Sequence, residues 1–311
     1  MSNEPKKHHY IPQSYLKGFQ IGTTRKNPKI CVYEKEKLNK SPYVVAIKNT
    51  ACIKDYHTIK INDKSDRTLI EGIFSNMENI IIHNIREVIN NEYINEDNKI
   101  TLAITILFFK SRVPQNLEML KKSFQRTIEG IAEAKFKINN MGLKGSFSDN
   151  FKLTINNNFP LFMMFNSVFK EEIIAELCSM NFSLLKAPKE YSFVCSDAPV
   201  SYYVPDYKNG RGVGLSHPNL EIFLPLTQSY GLLCSHNKLP IIKELKFEDL
   251  MEYNRRTIIT AEKYVFGSEE NLNIQKLIFD NKDKFSGIIY NDFDTKQGRF
   301  QYSAYIPVTN D

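Results

Sequence analysis

Apolar positions change their spacing as the chain proceeds, and the changes mark its elements. Between 66 and 90 they fall at Leu69, Ile70, Ile73, Phe74, Met77, Ile80, Ile81, Ile85, Val88 and Ile89. That is the stripe of an amphipathic helix, with Asp66 placed to cap it. A second helix is predicted over 97–112. Pro114 then removes a backbone donor and crowds the preceding turn, so a third helix is predicted beyond it, to about 137. A fourth is predicted over 161–180. The segment 139–159, rich in Asn, Gly and Ser, reads as a loop. Strand patterns flank this helical block: 29–34 (KICVYE), 43–47 and 56–61 before it, and 191–195, 200–204, 220–225 and 230–235 after it. A polar loop at 205–218 carries Gly210, Gly212 and Gly214. Helices over 247–262 and 269–280 and strands over 287–290 and 301–306 complete the chain. Near its start, Pro12 can open a two-turn helix that Gly18 closes, burying Tyr15, Leu16 and Phe19.

This order of elements predicts an α+β fold. A helical layer packs against a mixed, mostly antiparallel sheet built from the N-terminal and C-terminal segments. No repeat or linker divides the 311 residues, so a single domain over 1–311 is expected. Its parts are a basic strand-rich segment (1–65), a helical layer (66–185) and an α/β segment (186–311).

Composition narrows the class. With 42% hydrophobic and 24% charged residues the chain can fill a core, which excludes wholesale disorder. The most apolar run, 100–109, is about half of the ~20 residues a membrane-spanning helix needs, so it reads as a buried helix. The opening residues are polar and basic, without the apolar stretch of a secretory signal. A cytoplasmic location and no membrane partner are expected. Five scattered cysteines without a CxxC pair read as reduced thiols rather than a zinc site. The net charge of +6 is uneven. Residues 1–60 hold 12 Lys and Arg against 4 Asp and Glu, while the remainder hold 29 against 31. The surplus in the first fifth suits a polyanion such as nucleic acid or a nucleotide, or simply a solvated lysine-rich surface.

Several signatures are missing: GxxxxGK(S/T), GxGxxG after a strand, HExxH and GxSxG. The GRGVG segment opens no predicted helix, so it does not make a phosphate cradle. His8 and His9 with Asn49 and His57 loosely match a histidine-asparagine-histidine nuclease, but no helix is predicted immediately after His57. Pro12 favours an extended Ile11. If that extension reaches back, His8 and Tyr10 share one face and His9 and Ile11 the other. One imidazole could then act as ligand or base while its neighbour orients it, or the pair could tether the segment through hydrogen bonds. Asp197 falls in a turn after a strand, where it could serve chemistry or bond the turn's own backbone. Arg112 ends an apolar helix and could pair with Glu78 or bind a phosphate.

The opening KHHYIPQSYLKGF resembles the start of the bacterial domain-of-unknown-function family 4238. Further landmarks agree in order: Val32-Tyr33, a strand with Tyr56, Glu78 in NMEN, and Ser111-Arg112-Val113-Pro114. FVCSDAPV with Ser196, Asp197 and Pro199 follows, then FLPLTQSYGLL, and finally Asn254 and Ala261. The resemblance spans about residues 7–270. Cys195 stands where the family often has Thr, and Ala198 where it usually has Asn. The family brings no assigned activity.

The working expectation is a metal-assisted phosphodiesterase or nuclease acting in bacterial defence or stress. His9, Asp197 and Arg112 are the catalytic candidates. His8, His9 and Asp197 are the ligands of a divalent ion, Mg²⁺ or Mn²⁺. Tyr10, Gln13, Tyr15 and Ser196 are the substrate contacts. The alternative is a non-enzymatic module that binds or senses a ligand or protein. Oligomeric state stays open.

Overall fold

The computed structural model describes residues 7–37, 40–61, 64–138, 155, 158–208, 212–295 and 298–310. Most of the predicted loop at 139–159, and Gly210, lie outside them.

The fold is α+β, as the periodicity predicts, with mixed, mostly antiparallel sheets. The opening segment forms β1 (Lys7–His9), a short α1 (Gln13–Leu16) and one further helical turn to Phe19. Strands β2 (Lys29–Glu34), β3 (Tyr43–Ala46), β4 (Cys52–Lys54), β5 (Ile59–Ile61) and β6 (Lys64–Asp66) follow. The helical block is α2 (Leu69–Asn91), α3 (Glu96–Ser111), α4 (Pro114–Ile138), α5 (Asn158–Val168) and α6 (Glu171–Ser179). Then come β7 (Asn181–Lys186), β8 (Cys195–Ser196), β9 (Ser201–Tyr203), β10 (Glu221–Pro225), β11 (Tyr230–Ser235) and β12 (Ile242–Glu244). Helix α7 (Phe247–Thr260), β13 (Tyr264–Gly267), α8 (Leu272–Asp280) and the hairpin β14 (Gly287–Thr295)–β15 (Gly298–Ile306) end the chain.

Two sheets carry the architecture. One runs β12-β7-β11-β10-β9, with β12 parallel to β7 and the other pairs antiparallel. The other runs β3-β2-β13-β8 and joins the two ends of the chain, since β13 pairs with β2 on one side and β8 on the other. Helix α2 buries Phe74, Ile81, Ile85 and Val88 along its stripe. Helix α3 is buried nearly all round, from Leu102 to Phe109. Its start is fixed by a capping box in which Asn95 and Asn98 each accept from the other's backbone N–H, at 2.7 and 3.2 Å. These faces meet Ile11, Leu16 and Phe19 of the opening segment and Phe266 of β13 in one core cluster. Among the described residues no helix is long and apolar enough to cross a membrane.

The pattern misplaces some boundaries. The helix predicted over 161–180 is two helices interrupted near Lys170, and the run after it is strand β7. Strand β13 occupies 264–267, where none is predicted.

Candidate functional site

Strand β1 pairs antiparallel with β4, with His8 opposite Ile53 and His9 opposite Cys52. Tyr10 N–H continues the ladder to the Ala51 carbonyl at 3.0 Å. Alternation along this strand turns the two imidazoles to opposite sides. His8 is fully buried and stacks on His57, with ring centres 5.5 Å apart and planes 7° from parallel. Its Nδ1 accepts the His57 backbone N–H at 2.7 Å. The His57 ring in turn meets Glu71, Nδ1 to Oε1, at 2.6 Å. Burial pushes the His57 pKa down to about 4, against the pull of Glu71. Burial, the largest effect, would raise Glu71, but the His57 hydrogen bond and the charges of His57, His8 and Arg112 together outweigh it and hold the carboxyl below its usual value. His57 Nε2 is buried with no hydrogen-bond partner among the described residues. One ligand atom from each of His8, His57 and Glu71 lies within 4.8 Å of the others.

His9 points to the other side of β1, within reach of the charges of Glu71 and Arg112. Burial lowers its pKa, while the Lys48 backbone carbonyl and the Glu71 carboxylate pull upward. Its Nε2 is buried and unpartnered among the described residues, so Nδ1 is the nitrogen toward Lys48. A neutral ring held this way presents a lone pair at Nε2.

Arg112 closes the region from below. Its side chain is 1% exposed, and one terminal nitrogen bonds Glu78 Oε1 at 2.7 Å. The other donates to the His9 carbonyl. The guanidinium lies over Phe74 and Phe108, at 4.3 and 4.7 Å from the ring centres. The pairing of Arg112 with Glu78 is one of the two roles that its place in the sequence allows. Two nitrogens being so engaged, the cation acts on its surroundings through its field rather than as a bidentate phosphate clamp.

Asp197 sits elsewhere in this arrangement. It is 3% exposed. Its Oδ1 accepts the Glu262 N–H at 2.9 Å, and its Oδ2 accepts those of Lys263 and Tyr264 at 2.8 and 3.0 Å. Burial raises its pKa to about 6 despite these donors. The carboxylate therefore fastens the turn between α7 and β13. It is not among the side chains gathered with His8: among the described residues, the side chains whose possible ligand atoms come together are His8, His57 and Glu71, without His9 or Asp197.

The substrate-contact candidates separate in the same way. Tyr15 is buried against Phe19 and Phe109, with its hydroxyl on the Pro225 carbonyl at 2.5 Å. Ser196 is fully buried, and its Oγ accepts the Ala198 N–H at 3.2 Å. Gln13 is half-buried at the start of α1. Tyr10 lines a cavity of about 350 Å³ together with Asp197, Glu262 and Tyr264. Glu262 and Pro114 also line a larger cleft of about 820 Å³, so the two spaces share a wall. Glu262 Oε1 accepts the Gln115 N–H at 2.9 Å, satisfying a free donor at the start of α4. Burial and the Asp197 charge raise its pKa to about 7.

Glu71 and Glu262 belong to none of the motifs that the sequence offers. For Glu71 a signal exists: Glu71, Phe74 and Glu78 follow one another at steps of three and four, so two acidic residues interrupt the stripe that buries Phe74. Glu262 gives none, because its setting depends on α7, α4 and β8 meeting.

Fold and site together define an α+β protein whose opening strands and helical block enclose a histidine-carboxylate-arginine cluster. The chain belongs to the family described as protein of unknown function (DUF4238), which matches residues 7–271. No curated protein and no solved structure matches it.

Proposed function

We propose that the cluster around His9 hydrolyses phosphoesters with the help of a divalent ion, as a nuclease or phosphodiesterase. The observation that carries this reading is the uncommitted His9 Nε2, on a ring that feels the charges of both Glu71 and Arg112, together with the His8, His57 and Glu71 ligand atoms that lie within 4.8 Å of one another. Two imidazoles and one carboxylate suit Mn²⁺ or Zn²⁺ better than Mg²⁺, which prefers oxygen ligands. Binding would replace the proton shared by His57 and Glu71. An ion there supplies a Lewis acid and a more acidic water. His9 Nε2 would accept a proton from the attacking water as the new P–O bond forms and the ester P–O bond breaks, the departing alkoxide taking a proton from solvent, and the Arg112 field would offset the developing negative charge. Glu71 keeps 27% of its side chain exposed, which gives the cluster an edge at the surface. Lys7, Lys48 and Lys54 are exposed on and beside the strand pair that carries the histidines, a setting suited to a phosphate backbone.

The test is incubation of the full chain with single- and double-stranded DNA, RNA and nucleotides in Mn²⁺, Zn²⁺ or Mg²⁺. Turnover in Mn²⁺ or Zn²⁺ that drops by about a hundredfold or more in His9→Ala and in Glu71→Gln is the expected result. Absence of turnover with every substrate, or turnover indifferent to both variants, removes the reading. Binding without product in the same assays would support a sensing module instead, a role that the 820 Å³ cleft favours.

A further inference from the structure

The cavity of about 350 Å³ that Tyr10 lines is also walled by Tyr43, Tyr264 and Phe266. Strand pairing gathers these rings. Phe266 stands opposite Val32 of β2, and Val32 opposite Tyr43 of β3, so the three share one face of the sheet. Tyr264, two positions before Phe266, lies on that same face. Its ring centre is 6.4 Å from that of Phe266, with the planes 17° from parallel. Tyr10 adds a fourth ring from the opening segment, close enough to Asp197 and Glu262 to feel both charges. Tyr10, Val32 and Phe266 are buried, whereas Tyr43, Asn49, Ile53 and Lys263 are exposed. The cavity therefore has a buried floor and a rim at the surface.

Asp197 and Glu262 line the same space but are not equivalent. Asp197 has both oxygens on backbone N–H groups and lies in the field of Lys35. Among the described residues the Glu262 carboxyl is bonded through Oε1 alone, which leaves Oε2 able to meet a ligand. The lining cation is Lys263, exposed at the rim, where its ammonium can stay in water. Independently of the phosphoester reading, we infer that this cavity binds a small alkylammonium compound, its cationic head among the four aromatic side chains and beside Glu262. Aromatic faces attract such heads, and more strongly once water is excluded. An anion would meet two carboxylates here. A bare divalent ion would need several oxygen ligands, and with Asp197 committed to the backbone only one carboxylate remains to supply them. An alkylammonium ion needs neither: its charge is spread over a greasy surface that aromatic walls cover, and one carboxylate balances it.

Calorimetric titration of the full chain with choline chloride tests this, at about pH 8, where Glu262, with its pKa raised to about 7, is mostly ionised. Saturable binding at one site is expected. It should be at least about tenfold tighter than that of the neutral alcohol in which a tert-butyl group replaces the trimethylammonium, since the two have the same shape and differ in charge. Tyr43→Ala and Glu262→Gln should each weaken choline by about tenfold or more. Tyr43 is exposed on an edge strand, so its replacement leaves the core intact. No saturable binding of choline, equal binding of the neutral alcohol, or binding that either variant leaves unchanged would overturn the inference. The comparison of the two compounds uses the unaltered protein, so it does not depend on a variant folding.

Discussion

Asp197 and His9 show how burial decides what a polar residue does. Both lie in motifs that suggest chemistry. Asp197 has each oxygen engaged by backbone N–H groups, whereas His9 has a ring nitrogen with no such partner. Sequence alone does not decide between catalyst and turn fastener for Asp197, because a carboxylate in a turn can do either; the donors come from residues 65 to 67 positions away. Asp197→Asn should therefore act on stability. The amide turns a donor toward N–H groups that need acceptors, and a loss of about 2–4 kcal/mol is expected in urea unfolding. A hydrolytic assay that falls while the unfolding midpoint stays unchanged would point instead to chemistry at Asp197. Glu262 gives a pH test. Its folded pKa, about 7, lies above an ordinary carboxyl value, so the folded state holds its proton more tightly. The stability this contributes is complete below about pH 4.3 and lost as pH rises through about 7. Glu262→Gln should remove about 1–3 kcal/mol from the decline in unfolding free energy between those pH values. An identical decline in the variant would contradict the assigned shift.

At the scale of elements, Arg112 and Glu78 join α3 to α2 while the guanidinium also holds the β1 backbone at His9. The apolar spacing of both helices made that pairing readable, since each helix has a defined face and Arg112 ends one of them. Removing one partner strands a charge in a place that was made for two. Arg112→Met is expected to cost about 3–5 kcal/mol, and Arg112→Met with Glu78→Met less than the sum of the single losses. Strict additivity in thermal or urea unfolding would show that the two side chains do not act as a pair. Elsewhere periodicity was a poorer guide. Strand β7 (NFSLLK) follows the predicted fourth helix without a glycine or proline to separate them, and its partners β11 and β12 come from distant sequence. The same holds for β13, a four-residue strand defined by β2 and β8. Short strands of this kind take their identity from neighbours that local spacing does not reveal.

Across the whole molecule, the meeting of the two chain ends was legible, because strand patterns at both ends flank a helical block that must be covered. The four-stranded sheet β3-β2-β13-β8 is that meeting. The exact partners of the histidines were not legible: Glu71 comes from the first turn of α2, and His57 from the turn before β5, so only the folded chain sets them against β1. The phosphoester reading depends on that convergence and on an ion being held there. Titration of the full chain with Mn²⁺, followed by calorimetry and by the electron paramagnetic resonance of the free ion, measures this directly. One Mn²⁺ per chain is expected, with binding weakened at least about tenfold by Glu71→Gln or His57→Gln and retained in folded Asp197→Asn. Absence of binding, or binding that survives both ligand substitutions, would contradict a metal site formed by His8, His57 and Glu71.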